Sequence, residues 1–253
     1  MKSYRGPGHL DTKAISILAS AVFAVAAIAA EDSPSTPKER TDDLGIEQKQ
    51  EINADIKKTD GKIDLAFVGD SITRRWRGEG NKEVWDKYWG SYKAVNMGIG
   101  GDATQNVLWR LENGQLDGYQ ARLFVVMIGT NNCWGEKPVP ADVAAGIKAI
   151  LDLIQAKQPQ AKILLLSILP TGDKPNPGRE PRTAINALIS KFQGGPVHYM
   201  DISAKFLEPD GTISKDVMPD SLHLAPKGYE IWSEAIKDKV KELLGDAHSG
   251  KTP

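Results

Sequence analysis

Leu65-Ala66-Phe67-Val68-Gly69-Asp70-Ser71-Ile72-Thr73 is the stretch of this chain that decides its fold. It contains most of a short apolar run from Ile63 to Val68, which is typical of a buried strand, and Gly69-Asp70 predicts a turn directly after that strand. The turn leaves the hydroxyl of Ser71 at the carboxyl end of the strand. Because α/β folds place their chemistry at this end of parallel strands, Ser71 is the first candidate for a functional residue.

The length and composition of the chain suit one domain with flanking segments. Its 253 residues are 40% hydrophobic and 26% charged, which is enough to bury one sizeable core. The formal net charge of -1 predicts no strong attraction to nucleic acid or to an anionic membrane. The single cysteine, Cys133, excludes an internal disulfide framework and a cysteine-based zinc cluster.

Residues 1–30 have the pattern of a targeting segment. Lys2, Arg5 and Lys13 precede an alanine-rich apolar stretch from Ala14 to Ala30. We therefore predict a signal peptide at 1–30 and an exported protein, periplasmic or secreted, without strong membrane association after cleavage. An uncleaved amino-terminal anchor is the open alternative, because the apolar stretch approaches the lower limit for a membrane span.

The remaining sequence divides into three parts. Residues 31–60 predict a solvated linker, rich in Pro, Ser, Thr and charge, followed by a short edge helix on which Ile52 and Ile56 share a face. Residues 61–246 form the predicted domain, with Pro226 in the first turn of its last helix and Gly245 at the end of that helix. Residues 247–253 predict a disordered tail.

Apolar strands and helical patterns alternate through the predicted domain. This alternation is the signature of a parallel sheet with helices on both faces. Apolar residues recur at helical spacing in two long stripes, one from Val143 to Ile154 and one from Tyr229 to Leu243. The predicted strands are Ile63–Val68, Ala94–Met97, Leu123–Ile128, Ile163–Ile168 and Val197–Asp201.

A serine nucleophile needs a base, and the chain has four histidines. His9 lies in the leader, His248 in the tail and His198 at the start of a predicted strand, which leaves His223. Asp220, three residues earlier, can accept the Nδ1 proton of His223 and leave Nε2 to take the serine proton. Taken alone, this Asp-x-x-His spacing is usually a surface accident.

Two further loops follow the second and third strands. The glycines of 96–102 let backbone N–H groups approach a ligand, although a glycine-rich turn before a helix would look the same. Their spacing does not match a dinucleotide-binding fingerprint. In 128–132, an asparagine amide can donate to a developing oxyanion, although Asn next to Gly most often caps a turn. Ser71, Gly101 and Asn131 stand about thirty residues apart, the length of a strand-helix repeat.

This ordered set resembles the SGNH (GDSL-type) hydrolase superfamily, over roughly Ile63 to Leu244. Within it, the chain resembles the catalytic α subunits of intracellular platelet-activating-factor acetylhydrolase. The motifs that carry the resemblance are Phe67-Val68-Gly69-Asp70-Ser71, Gly98-Ile99-Gly100-Gly101-Asp102, Val107-Leu108-Trp109-Arg110-Leu111, Gly129-Thr130-Asn131-Asn132 and Leu222-His223-Leu224.

The resemblance implies a flavodoxin-like, three-layer α/β/α sandwich around a five-stranded parallel sheet. It also implies ester hydrolysis through an acyl-enzyme, without a metal or another cofactor. Ser71 is then the nucleophile, His223 the general base and later acid, and Asp220 the residue that orients the histidine. The implied oxyanion hole consists of the N–H groups of Ser71 and Gly101 and the side chain of Asn131.

The resemblance also locates an acyl pocket. The matching positions are Ile72, Thr130 and Leu222, which are large enough to close a pocket beyond a two-carbon acyl group. The alternative is that Ile72 and Leu222 simply face the core. Asp70 is expected to brace the turn before Ser71 rather than to act in catalysis.

The predicted function is that of an exported serine esterase for short acyl groups, with acetyl foremost. Open alternatives are a polysaccharide O-acetylesterase and a lysophospholipase or thioesterase. A carbohydrate-binding module without turnover is disfavoured, because the nucleophile, the base and the oxyanion residues occur together. The export signal departs from the cytosolic α subunits, which puts their phospholipid substrate in doubt. The expected partner is a small-molecule or carbohydrate ester, and a homodimer stays open.

Overall fold

The structure is a computed structural model that describes residues 33–134 and 138–245. The predicted signal peptide, its alternative as an anchor, and the predicted tail at 247–253 lie outside these residues. Within the described ranges, no helix has the length and apolarity that crossing a membrane requires.

Five parallel strands form one sheet in the order β2-β1-β3-β4-β5. This order and the flanking helices confirm the predicted α/β sandwich. The strands are β1 Lys62–Gly69, β2 Ala94–Gly98, β3 Gln120–Met127, β4 Lys162–Leu166 and β5 Val197–Met200. The α-helices of the described residues are α1 Asp43–Lys57, α2 Ser71–Arg74, α3 Asn81–Trp89, α4 Thr104–Arg110, α5 Pro140–Lys157, α6 Arg179–Ile189 and α7 Pro226–Leu244.

The register of the sheet brings three loops to one level. Gly69, the last residue of β1, lies opposite Gly98 of β2 on one side and opposite Met127 of β3 on the other. The chain leaves all three strands at the same edge, because the strands are parallel. The loops that start after these residues are the three that the sequence analysis singled out.

The sheet has a core on each face, as expected for strands with near-continuous apolar runs. On one face, apolar side chains of α4, α5 and α6 pack on the sheet around Ile147 and Phe124. On the other face, the core is rich in aromatic residues. It includes Phe67, Trp76 and Trp232, whose ring centroids lie 5.5 to 6.3 Å apart.

The segment before α1 is attached to the domain, whereas its composition predicted a solvated linker. Thr104 Oγ1 donates to Pro34 O at 2.8 Å, and Lys38 N donates to Gln105 O at 3.0 Å. The helix that follows buries Ile52 completely. The composition of the segment could not reveal these contacts, because the partners lie about 70 residues further along the chain.

Candidate active site

Ser71 lies in a tight turn that its two preceding residues build. Asp70 caps α2, and its Oδ1 accepts a hydrogen bond from Ile72 N at 2.9 Å. A Cβ atom on Gly69 would collide with Thr73 Oγ1 and with Met127 O, so glycine is required there. The turn-bracing role expected of Asp70 is confirmed.

The structure brings Ser71, His223 and Asp220 into one hydrogen-bonded chain. Ser71 Oγ lies 2.9 Å from His223 Nε2, and His223 Nδ1 lies 2.7 Å from Asp220 Oδ2. Partial burial acts to raise the pKa of Asp220, but hydrogen bonds from the backbone and ring of His223 outweigh it and hold that pKa at about 2. The ionised carboxylate can only accept, so the proton lies on Nδ1 and Nε2 is left to accept from Ser71.

Residues 218–225, here called the histidine loop, are held by local contacts. Asp220 Oδ1 accepts from His223 N at 2.7 Å and from Leu222 N at 3.1 Å. Ser221 takes a left-handed conformation with φ 64°, and its carbonyl oxygen accepts from Gly172 N at 2.8 Å. The side chain of Asp220 is 46% exposed. The side chain of His223 is 14% exposed, so local hydrogen bonds and burial together place the histidine.

Residues 99–102, here called the oxyanion loop, form a turn closed by Asp102 N donating to Ile99 O at 3.2 Å. Gly101 has φ 84°, a conformation that favours glycine. Asn131 Nδ2 donates to Asp102 O at 2.8 Å, which joins this loop to the loop after β3. Since Nδ2 carries two hydrogens, a second one is left for a further acceptor.

Behind the backbone of the oxyanion loop, the side chains of Asp102, Arg110 and Gln115 form what we call the buried network, in which Arg110 donates to both of the others. Arg110 Nε donates to Asp102 Oδ2 at 2.8 Å, and both side chains are at least 97% buried. Arg110 also donates to the carbonyl oxygens of Met97 at 2.8 Å and Gly69 at 3.3 Å. It thereby connects the ends of β1 and β2. Sequence reasoning missed this role, and the available signal was an arginine inside the apolar helix sequence Val107-Leu108-Trp109-Arg110-Leu111.

The Asp70 carboxyl group is buried next to this network. Burial raises the pKa of Asp70 to about 7, the Asp102 carboxylate acts in the same direction, and hydrogen bonds from Ile72 N and the Thr130 side chain oppose the rise. Asp70 therefore changes charge near neutral pH, whereas Asp220 stays ionised.

The three predicted acyl-pocket residues differ in environment. Ile72 is 1% exposed and belongs to the aromatic-rich core. Thr130 is buried, and its side chain hydrogen-bonds to Asp70. Leu222 is partly exposed and packs against the same core as Ile72. The acyl-pocket assignment stays a prediction. Among the residues that the structure describes, no group of three His, Cys, Asp or Glu side chains could hold a metal ion.

Comparison with known proteins gives matches of three kinds. The model of the GDSL-like Lipase/Acylhydrolase family matches residues 67–231. The chain is 38% identical over 212 residues to platelet-activating factor acetylhydrolase IB subunit alpha2 of Rattus norvegicus, covering 83% of this chain and 89% of the relative. It is 38% identical over 196 residues to subunit alpha1 of Homo sapiens, covering 77% and 82%. The crystal structure of a GDSL-like lipase from Bacteroides thetaiotaomicron aligns with a TM-score of 0.63 at 17% identity, over 77% of this chain and 97% of that one.

Proposed function

The chain belongs to the GDSL-like Lipase/Acylhydrolase family and is a hydrolase, and on that premise we propose that it removes acetyl and other short acyl groups from esters. Ser71 is the nucleophile, His223 the base and acid, and Asp220 the residue that orients the histidine. The N–H groups of Ser71 and Gly101 and the amide of Asn131 form the oxyanion hole.

The reaction runs in two halves. Ser71 Oγ attacks the ester carbonyl carbon, its proton passes to His223 Nε2, and the carbonyl oxygen becomes an oxyanion that the hole stabilises. When this intermediate collapses, the C–O bond to the alcohol breaks and the alcohol leaves with the proton from His223. Water then attacks the acyl-enzyme and gives its proton to His223. The second collapse releases the acid and returns the proton to Ser71 Oγ.

One observation carries this proposal. Ser71 Oγ and His223 Nε2 lie 2.9 Å apart, although the two residues are 152 positions apart in the chain. This is the distance that proton transfer to a general base requires. The Nδ1 contact with Asp220 supports it by leaving Nε2 unprotonated on the serine side.

The acetyl preference rests on the relatives. Those with about 38% identity over most of this chain are acetylhydrolase subunits by name. The basic and apolar pattern of residues 1–30 supports export, which makes an ester outside the cytoplasm the expected substrate. The alcohol half of that ester is set by the loops at the mouth of the site.

A fluorophosphonate probe tests the serine assignment, because such probes react with an activated serine. We expect stoichiometric labelling of the wild type and none of Ser71→Ala. Ser203→Ala changes a half-buried serine at the start of a short 3-10 helix, whose hydroxyl donates to Asp201 Oδ1, and serves as the matched control, which should label fully. Full labelling of Ser71→Ala, or none of the wild type, would refute the assignment.

A substrate panel tests the acetyl preference and the alcohol. Aryl acetates, acetylated oligosaccharides and acetylated phospholipid analogues are compared at equal concentrations. We expect turnover of aryl acetates together with one of the two natural classes, and the preferred class identifies the alcohol. Turnover confined to long-chain acyl esters would contradict the proposed short-acyl specificity.

A further inference from the structure

The peptide bond between Gly100 and Gly101 serves two purposes. Its N–H belongs to the proposed oxyanion hole, and its carbonyl oxygen accepts a hydrogen bond from Arg40 Nη1 at 2.6 Å. In a trans peptide the C=O and N–H bonds point in opposite directions. A contact that fixes the carbonyl therefore also fixes the direction of the N–H.

This peptide bond has little intrinsic preference for that direction. The closed turn with Gly101 at φ 84° matches a type II turn, in which the central peptide plane is rotated relative to type I. Glycine stands on both sides of the plane, so no Cβ atom opposes its rotation. Rotation by about 180° would turn the Gly101 N–H away from the oxyanion.

Arg40 is itself held in place. Its Nε and Nη2 atoms donate to the two carboxylate oxygens of Asp42, each at 2.6 Å. Asp42 also caps α1 by accepting from Gly45 N at 3.0 Å. These two hydrogen bonds leave Arg40 Nη1 to donate to the Gly100 carbonyl oxygen. Asp102 Oδ1 lies 3.4 Å from the same nitrogen. The arginine side chain is 21% exposed, so water competes weakly for the contact.

A residue of α1 holds the neighbouring peptide plane. Gly100 N donates to Gln48 Oε1 at 2.8 Å, and Gln48 is buried on α1. We infer that Arg40 and Gln48 are positioning residues, which hold the oxyanion loop so that the Gly101 N–H points at the developing oxyanion. The inference rests on the proposed function. It makes α1 and the residues directly before it a part of the catalytic unit.

Arg40→Met tests the inference, because methionine keeps an unbranched stem and removes every donor. Removing an oxyanion-hole donor outright typically costs roughly 10² to 10³ in kcat, and a donor left free to rotate should cost less. We expect kcat on an aryl acetate to fall roughly 10- to 100-fold, with KM within about twofold of the wild type. Inactivation by the fluorophosphonate should slow by a similar factor.

Arg77→Met is the matched control. Arg77 also joins a carboxylate, that of Asp55 at 2.7 Å, to a backbone carbonyl, that of Asn96 at 2.8 Å, and its side chain is 31% exposed. It does not contact the oxyanion loop, so its kcat should stay within about twofold of the wild type. Arg40→Lys keeps a charged donor group but loses the planar fork, and it should recover part of the lost kcat.

Gln48→Met keeps the inference testable if Arg40→Met does not fold, and its kcat should fall in the same way. If the wild type is active and kcat is unchanged in Arg40→Met or Gln48→Met, the inference is overturned but the proposed function stands. A loss that appears in KM instead, or equally in Arg77→Met, would also overturn the inference. Absence of Ser71-dependent turnover in the wild type would refute the proposed function as well.

Discussion

The two sides of the candidate active site are held in different ways. The loops after β1, β2 and β3 rest on the buried network, in which Arg110 and Asp102 are almost inaccessible to water. The histidine loop buries Met218 and Leu224 in the core, but its carboxylate, Asp220, is 46% exposed and is held mainly by hydrogen bonds within the loop. The chemistry needs both sides, but removing a charged side chain should lower the free energy of unfolding mainly on the first side, where the charged groups are buried. Changes in the two regions should therefore separate activity from stability.

The largest expected effect is on activity, and it spans both sides. Ser71→Ala and His223→Ala should each lower kcat by several orders of magnitude, about 10⁴-fold or more, because the two groups act as one unit. The double variant should be little worse than either single variant. Thermal unfolding of Ser71→Ala should change little, whereas His223→Ala also removes a side chain that is only 14% exposed and should lose some stability. Steady-state kinetics and calorimetry on the three variants measure both quantities, and losses that multiply would contradict the assignment.

Asp220→Asn tests the histidine loop by itself. The asparagine oxygen can still accept from His223 N and Leu222 N, so the loop should keep its shape. The charge that stabilises the protonated imidazole is lost, and kcat should fall by about 10⁴ if Asp220 acts as the aspartate of serine proteases does. A much smaller loss, measured on the same aryl acetate, would show that backbone contacts orient His223 and would leave the Ser71 assignment intact.

Arg110→Met tests the side of the buried network, and its main expected effect is on the free energy of unfolding. It leaves the Asp102 carboxylate buried without its main partner, and breaking a buried pair typically costs about 3 to 5 kcal/mol. The free energy of unfolding from urea titration should fall by that amount. Lys148→Met, which removes an ion pair with Asp152 in which the two side chains are 49% and 54% exposed, is the control and should cost about 1 kcal/mol or less.

Removing both charges sharpens this test. Asp102→Asn combined with Arg110→Met leaves no unpaired buried charge, so the double variant should be more stable than the sum of the two single losses predicts. Strict additivity would mean that the two side chains contribute separately.

The buried carboxyl group of Asp70 should make the free energy of unfolding depend on pH. Asp70 has a pKa of about 7 in the folded protein and an ordinary value of 3.8, so between these values the folded state binds more protons than the unfolded state. The free energy of unfolding contributed by Asp70 is therefore highest below pH 3.8 and is lost as pH rises to about 7. The loss amounts to about 1.4 kcal/mol per pH unit within that window.

Asp70→Asn removes this titration while keeping an oxygen that can accept from Ile72 N. Relative to the wild type, the variant should gain stability as pH rises from about 4 to 7, by a few kcal/mol in total. Urea unfolding at several pH values measures the difference. Parallel curves for the two proteins would show that Asp70 does not titrate in this window.

The sequence predicted the positions of the candidate site residues better than the contacts that hold them. The strand ends and the motifs after them are local patterns, so Ser71, Gly101 and Asn131 could be placed by reading apolar runs and glycines. The contacts of Arg40 with Gly100, and of Arg110 with Gly69, join residues 60 and 41 positions apart. No spacing rule connects such pairs. A polar, proline-containing segment therefore predicted a solvated linker where the structure has Arg40 bound to the oxyanion loop.

The smallest expected effect concerns the length of the proposed acyl pocket, to which each region would contribute one wall. Ile72 is fixed in the core, whereas Leu222 lies in the histidine loop and is partly exposed. In a closed pocket, each added carbon must displace packed side chains at about 1 to 3 kcal/mol. We expect kcat/KM for aryl esters to fall about tenfold or more from acetyl to butyryl, and Leu222→Ala to reduce that fall.

Of the two residues proposed to line the pocket, Leu222 is the better one to substitute. Truncating a fully buried side chain such as Ile72 typically costs about 2 to 5 kcal/mol of stability, which would confuse the kinetics. Leu222→Ala leaves the core side of the pocket intact, so a change in chain-length preference can be assigned to the pocket itself. In an open pocket each methylene would instead gain about 0.8 kcal/mol of burial. Octanoyl esters turned over as well as acetyl esters would thus contradict the acetyl preference and leave the serine hydrolase mechanism standing.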